Sequence, residues 1–94
     1  MNFRAYAPAW LVAAAKKQFP SETALHAALA TCTQVAGEEP VLYFVDPQSN
    51  DWHVARDFRV NDTPKGDVEI DILKDGRIGG LEFLQGEWRS GTFG

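Results

Sequence analysis

The chain has few of the side chains that carry redox, metal or acid–base chemistry. Its 94 residues include one cysteine, Cys32, and two histidines, His26 and His53. A single cysteine excludes an intrachain disulfide and a closed cysteine metal site within one chain. Cys32 falls at helical spacing with Leu25, Ala28 and Leu29, so it reads as a small core residue, with nothing near it in sequence to depress its pKa. No apolar run approaches the ~18 residues of a membrane span. Ala5 to Ala15 is apolar and alanine-rich at its end, but a lone Arg4 precedes it, Pro8 interrupts it and Lys16-Lys17 follow, so it fits a secretory leader poorly. The expected location is cytoplasmic. Positive charge is also scarce, with nine basic against thirteen acidic residues. Residues 1–37 hold three basic and one acidic residue, net +2, and residues 38–94 hold six basic and twelve acidic, net −6. An acidic half of this size argues against the phosphate backbone of nucleic acid as a partner. It suits a basic protein partner, and equally it suits solubility alone.

What is present is ordinary globular composition, 45% hydrophobic and 23% charged, in a length that suits one domain with an unstapled core. The first half reads as helical. Pro8 is favoured at a first helical position, alanine-rich sequence follows, and Trp10, Leu11, Ala14, Ala15 and Phe19 share a face before Pro20 ends it, predicting a helix over 8–19. Ser21 as N-cap, Glu22 in the first turn and the stripe Leu25, Ala28, Leu29, Cys32, Ala36 predict a second helix over 21–36, closed by Gly37. Residues 2–7 alternate weakly, as an edge strand or a lead-in.

From Pro40 the pattern changes to strands. Val41-Leu42-Tyr43-Phe44-Val45 is a continuous apolar run and predicts a central strand over 41–46. After a turn-rich stretch, residues 52–60 alternate, with Trp52, Val54, Phe58 and Val60 on one face and His53, Ala55, Asp57 and Arg59 on the other. Residues 67–73 and 77–84 flank Lys74-Asp75-Gly76, a hairpin signal. A two-residue Asp75-Gly76 turn, or a four-residue loop of the same parity, sets Ile72 against Gly79, Ile70 against Leu81 and Val68 against Phe83. The expected architecture is therefore α+β, two N-terminal helices on one face of a three- to four-stranded antiparallel sheet, followed by a glycine-punctuated tail, 85–94.

That register puts Glu69, Asp71 and Glu82 on the outer face beside Leu73 and Ile78, with Glu69 directly opposite Glu82. Like charges so placed repel. The face reads as a surface for a partner, as a weak divalent-ion site, or as a solvated face. Trp88 and Arg89 in the tail are residue types enriched at interface hot spots and extend the candidate partner set. Arg56 falls on the apolar face of its strand, where it snorkels past the core or grips an anion in a cleft with Tyr43, Trp52 and His53. His26 lies one position off its helix's apolar stripe and is expected half-exposed. His53 is the first residue to examine for catalysis, but no nucleophile with a positioned base can be assembled around it.

The segment from Val68 to Leu84 resembles a family of short bacterial proteins of unknown function, whose signature is an acidic alternating strand, an Asp-Gly turn and Arg-Ile/Leu-x-Gly-Ile/Leu-Glu. Here this reads Val68-Glu69-Ile70-Asp71-Ile72-Leu73-Lys74-Asp75-Gly76-Arg77-Ile78-Gly79-Gly80-Leu81-Glu82-Phe83-Leu84, with Gly79 where the family usually has an aliphatic residue. The resemblance covers residues 67–84, implies β structure and a bacterial or phage origin, and carries over no catalytic residue.

The leading expectation is a non-enzymatic, protein-binding accessory domain of the immunity, antitoxin-like or inhibitor kind. It would use no cofactor or metal, and its partner would be a protein, basic in character, or a second copy of the chain. The alternatives are a small-ligand domain built on Arg56, Tyr43, Trp52 and His53, and an enzyme around His53.

Overall fold

The computed structural model describes residues 1–84, and the tail 85–94, with Trp88 and Arg89, lies outside the described residues. In chain order the elements are β1 (Arg4–Ala5), α1 (Ala9–Gln18), α2 (Thr23–Ala30), β2 (Gln34–Glu38), β3 (Val41–Tyr43), β4 (Val54–Thr63), β5 (Gly66–Leu73) and β6 (Ile78–Leu84). The strands form one sheet in the order β1-β2-β3-β6-β5-β4, every neighbouring pair antiparallel. The α+β class and the antiparallel sheet hold, but the described residues form a sheet of six strands rather than three or four.

The two additional strands come from the segment read as helical and from the lead-in. The second helix stops at Ala30, not at residue 36, and residues 34–38 form β2. Thr31 ends the helix, its hydroxyl donating to the Ala28 carbonyl at 2.7 Å. Alternating Thr31, Thr33 and Val35 then favour extended backbone, since β-branched side chains suit a pleat better than a helix. Cys32 and Ala36 are both buried, so they satisfied a helical stripe without belonging to one. Gly37 is part of β2 rather than a helix stop, with φ +84. A Cβ there would meet the Val41 carbonyl at 3.0 Å, so this close crossing of β2 and β3 requires glycine. The short β1 pairs with β2 through Arg4↔Val35 and Ala5↔Gln34.

At the corner between the helices Glu22, not Ser21, is the N-cap of α2, and it makes no side-chain capping bond. His26 supplies the link instead. It is buried, not half-exposed, and its Nε2 donates to the Phe19 carbonyl at 2.8 Å. Both helices cover one face of the sheet. Leu11 and Ala15 of α1 and Leu25 and Leu29 of α2 pack on Val35, Leu42, Val60, Val68, Ile70, Leu81 and Phe83.

The last hairpin keeps the expected pairing over most of its length, with Val68↔Phe83, Glu69↔Glu82 and Ile70↔Leu81. It reaches that pairing by another route. Leu73 N–H donates to the Arg77 carbonyl and Gly76 N–H to the Leu73 carbonyl, so the loop is the three residues Lys74–Gly76, with Gly76 at φ +91. Such a loop shifts the register by one residue. The shift is undone further on, between Ile72↔Ile78 and Asp71↔Gly80, where β6 carries the extra residue Gly79 as a bulge. Two strand positions change as a result. Ile72 faces Ile78 rather than Gly79, and Ile78 joins the helix-side core instead of sharing the outer face with Leu73.

Gly79 is also where the outer face packs most tightly. A Cβ there would stand 2.7 Å from Leu73 Cδ2 and 2.8 Å from Trp52 Cζ3, because the Trp52 ring lies over the glycine pair Gly79–Gly80. Gly79→Val is expected to destabilise the protein by about 1–3 kcal/mol, the usual cost of overfilling a packed site. Urea unfolding followed by tryptophan fluorescence measures it, and an unchanged midpoint would mean that Trp52 is not held there.

Candidate functional site

The sheet face away from the helices is built from alternate residues of five strands. Across it run two rows of directly opposed side chains. One is Glu38, Val41, Glu82, Glu69 and Arg59, and the other is Ala36, Tyr43, Gly80, Asp71 and Asp57. The register therefore brings Glu69, Asp71 and Glu82 together and adds two carboxylates, Asp57 and Glu38. Asp57 was visible in the sequence as an outward position of β4, but its neighbour Asp71 required the pairing of β4 with β5. Glu38 is hidden in the sequence, because the apolar spacing up to residue 36 matches a helix and masks β2.

In these two rows the single cation is Arg59, and it is drawn aside toward Asp67, 3.8 Å away. Two of the carboxylates, Glu69 and Asp71, are perturbed in this setting. Burial pushes the Glu69 carboxyl above its ordinary value, and Asp57, Asp71 and Glu82 push it further, against the opposing pull of Arg59. Asp71 is raised by burial and then by Asp57 and Glu82. A carboxylate beside other carboxylates holds its proton more tightly because ionisation adds to the local repulsion. Among the described residues no group of three or more His, Cys, Asp or Glu side chains is arranged to hold a metal ion.

Next to the acidic rows lies an aromatic corner. Tyr43 and Trp52 meet edge to face with centroids 6.0 Å apart, above Gly79, Gly80 and Leu73. Trp52 follows a turn in which Asp46 and Ser49 bond to backbone amides ahead of them. His53 is exposed at the end of this turn, its carbonyl accepting from Lys74 N–H at 2.8 Å.

Arg56 is on the opposite side of the sheet. Its guanidinium carbon sits 4.5 Å from the centroid of the Phe58 ring, which packs edge to face on Phe19 at 5.2 Å. It lines a shallow cleft of about 130 Å³ with Glu22, Leu25, Ala28 and Ile72. The structure thus separates Arg56 from Tyr43, Trp52 and His53, which do not share that cleft. Cys32 is buried, and that burial pushes its thiol up to about 12, which leaves almost no thiolate at neutral pH.

No family model, no curated protein and no solved structure matches the chain.

The acidic rows make stability depend on pH in a defined direction. Because Glu69 and Asp71 have raised values in the folded state, the native protein holds more protons than the unfolded chain where these groups titrate. Stability therefore falls as pH rises from the ordinary carboxylate range through the raised values, and it stays lower above them. Glu69→Gln is expected to stabilise the protein at pH 7 by up to about 1 kcal/mol, the upper range for a like-charge cross-strand pair. The gain should vanish at a pH low enough to protonate Glu69 in both states. Thermal melts of the two proteins from pH 3 to 7 report it, and a destabilised variant at pH 7 would contradict the repulsive arrangement.

Proposed function

We propose that the protein is a non-catalytic binding module that offers the outer sheet face to a basic protein partner. The observation that carries this reading is the crowding of Asp57, Glu69, Asp71 and Glu82 on one face, with Glu69 directly across from Glu82 and only Arg59 in the same rows to offset them. Folding alone gives no reason for the arrangement, since like charges opposed across a strand pair cost stability. A partner that brings lysine or arginine to the face recovers that cost on binding, and a charged patch also steers a partner of opposite sign. The aromatic corner of Tyr43 and Trp52, both half-buried, supplies apolar contact at the side of the patch. An immunity, antitoxin-like or inhibitor protein of bacterial or phage origin fits this description, and the hairpin resemblance agrees with such an origin. The small-ligand alternative is less favoured because the Arg56 cleft is well below the ~300 Å³ of typical ligand pockets.

Replacement of the three carboxylates by their amides, as Glu69→Gln, Asp71→Asn and Glu82→Gln together, is expected to abolish partner capture while leaving or raising thermal stability. Immobilised wild-type protein should retain a basic protein from lysate at low salt and release it as salt rises, and the triple variant should retain none. Equal capture by both would end the proposal.

A further inference from the structure

Among the described residues β4 is the last strand at one side of the sheet, and Val54 to Asp57 and Arg59 along it are exposed, Val54 to 44%. The direction of its backbone groups follows from two hydrogen bonds. At the start, the His53 carbonyl accepts from Lys74 N–H, so it points inward to the hairpin. Near the end, Asn61 N–H donates to Gln18 Oε1 at 2.8 Å, so it points away from β5. A register shift between Val54 and Arg56 accounts for the change of parity between these residues. Strand alternation then turns the N–H and C=O of Asp57 and Arg59 to the outer edge, where no strand of the described residues pairs with β4, while Phe58 and Val60 bond inward to β5.

The geometry points to a second copy of this chain as the occupant of that edge, paired antiparallel along β4 about a two-fold axis at Phe58. The sequence Asp57-Phe58-Arg59 has opposite charges on either side of its centre. In this register Asp57 of each protomer lies directly opposite Arg59 of its partner, and the two Phe58 residues meet at the axis on the helix side. The outward groups of Asp57 and Arg59 supply four backbone hydrogen bonds, two in each hydrogen-bonded pair. Adjacent allowed registers are worse. Centring the axis on Asp57 sets Asp57 against Asp57, and centring it on Arg59 sets two arginines together, so charge selects the Phe58 register. The pairing also places the partner's Arg59 beside Asp57, which within its own protomer faces Asp71 and has no cation opposite it. Such an interface is isologous and closes at two copies. Beyond it the regular ladder stops, because the Asn61 amide already belongs to Gln18.

This inference does not depend on the proposed partner, and the triple amide variant is expected to dimerise as the wild type does. Sedimentation of the full chain from micromolar to millimolar concentration should show a monomer–dimer equilibrium. Asp57→Arg and Arg59→Asp, each of which opposes like charges twice across the axis, should each weaken the dimer by about tenfold or more. The double exchange, Asp57→Arg with Arg59→Asp, should restore it. A wild type that stays monomeric, a dimer that the single reversals leave unchanged, or a double exchange that fails to restore would each overturn the assignment. A second measurement needs no variant. Hydrogen exchange at the Asp57 and Arg59 amides should slow as protein concentration rises, while Asn61 stays as it was, and unchanged exchange at the first two would overturn the pairing.

Discussion

Between the Lys74–Gly76 loop and Gly80, β6 holds one residue more than the strand it pairs with, and that residue, Gly79, carries two of the contacts that join the halves of the sheet. Its carbonyl accepts from Phe44 N–H at 2.8 Å and Val45 N–H at 3.2 Å, tying the end of β3 to the hairpin. Its missing side chain leaves the space that Trp52 and Leu73 fill. With the extra residue in place, Val68, Ile70, Leu81 and Phe83 face the helices and Glu69, Asp71 and Glu82 face away. Without it, a three-residue loop would turn one strand over relative to the other, placing a carboxylate in the core. The core and the acidic face thus rest on the same backbone irregularity.

The bulge also shows how the outer face can be polar and still well packed. Four carboxylates occupy its middle, and the aromatic corner beside them is held by glycine on β6 and leucine on β5. The two regions differ in what holds them. The aromatic corner is stabilised by burial and close packing. In the acidic rows Asp57 and Glu82 are exposed and screened by water, while the repulsion at the half-buried Glu69 and Asp71 is offset by the core on the other side of the same strands.

Much of this was legible in the residues. Alternation in 67–73 and 77–84 specified the pairing of Glu69 with Glu82, since only one parity keeps the apolar positions together. The first helix read correctly to within about one residue at either end, because Pro8 and Pro20 bound it. What escaped was wherever two periods agreed on the same residues. Cys32 and Ala36 are buried in an extended segment, yet their spacing also matches a helical stripe, and a short strand of small residues has little to distinguish it from a helix end. The register of the hairpin was right for a reason the residues did not display, because Gly79 has no side chain to announce a bulge. Asp57 and Asp71 became neighbours only through tertiary pairing of strands that local pattern cannot join. The placing of Arg56 away from Tyr43, Trp52 and His53 likewise depended on the register shift between Val54 and Arg56, which reverses the alternation of β4 and leaves no mark in the sequence.

The register shifts near both ends of β4 have a further effect on what the molecule does when crowded. Filament growth by stacked strands needs an uninterrupted segment of about six or seven residues that can repeat the same hydrogen-bond pattern in copy after copy. On β4 the regular stretch between the two shifts runs only from Arg56 to Val60, and it carries two arginines and an aspartate. At the opposite side of the sheet β1 is two residues long. Among the described residues neither margin offers such a segment, so the irregular borders of the sheet disfavour indefinite strand addition.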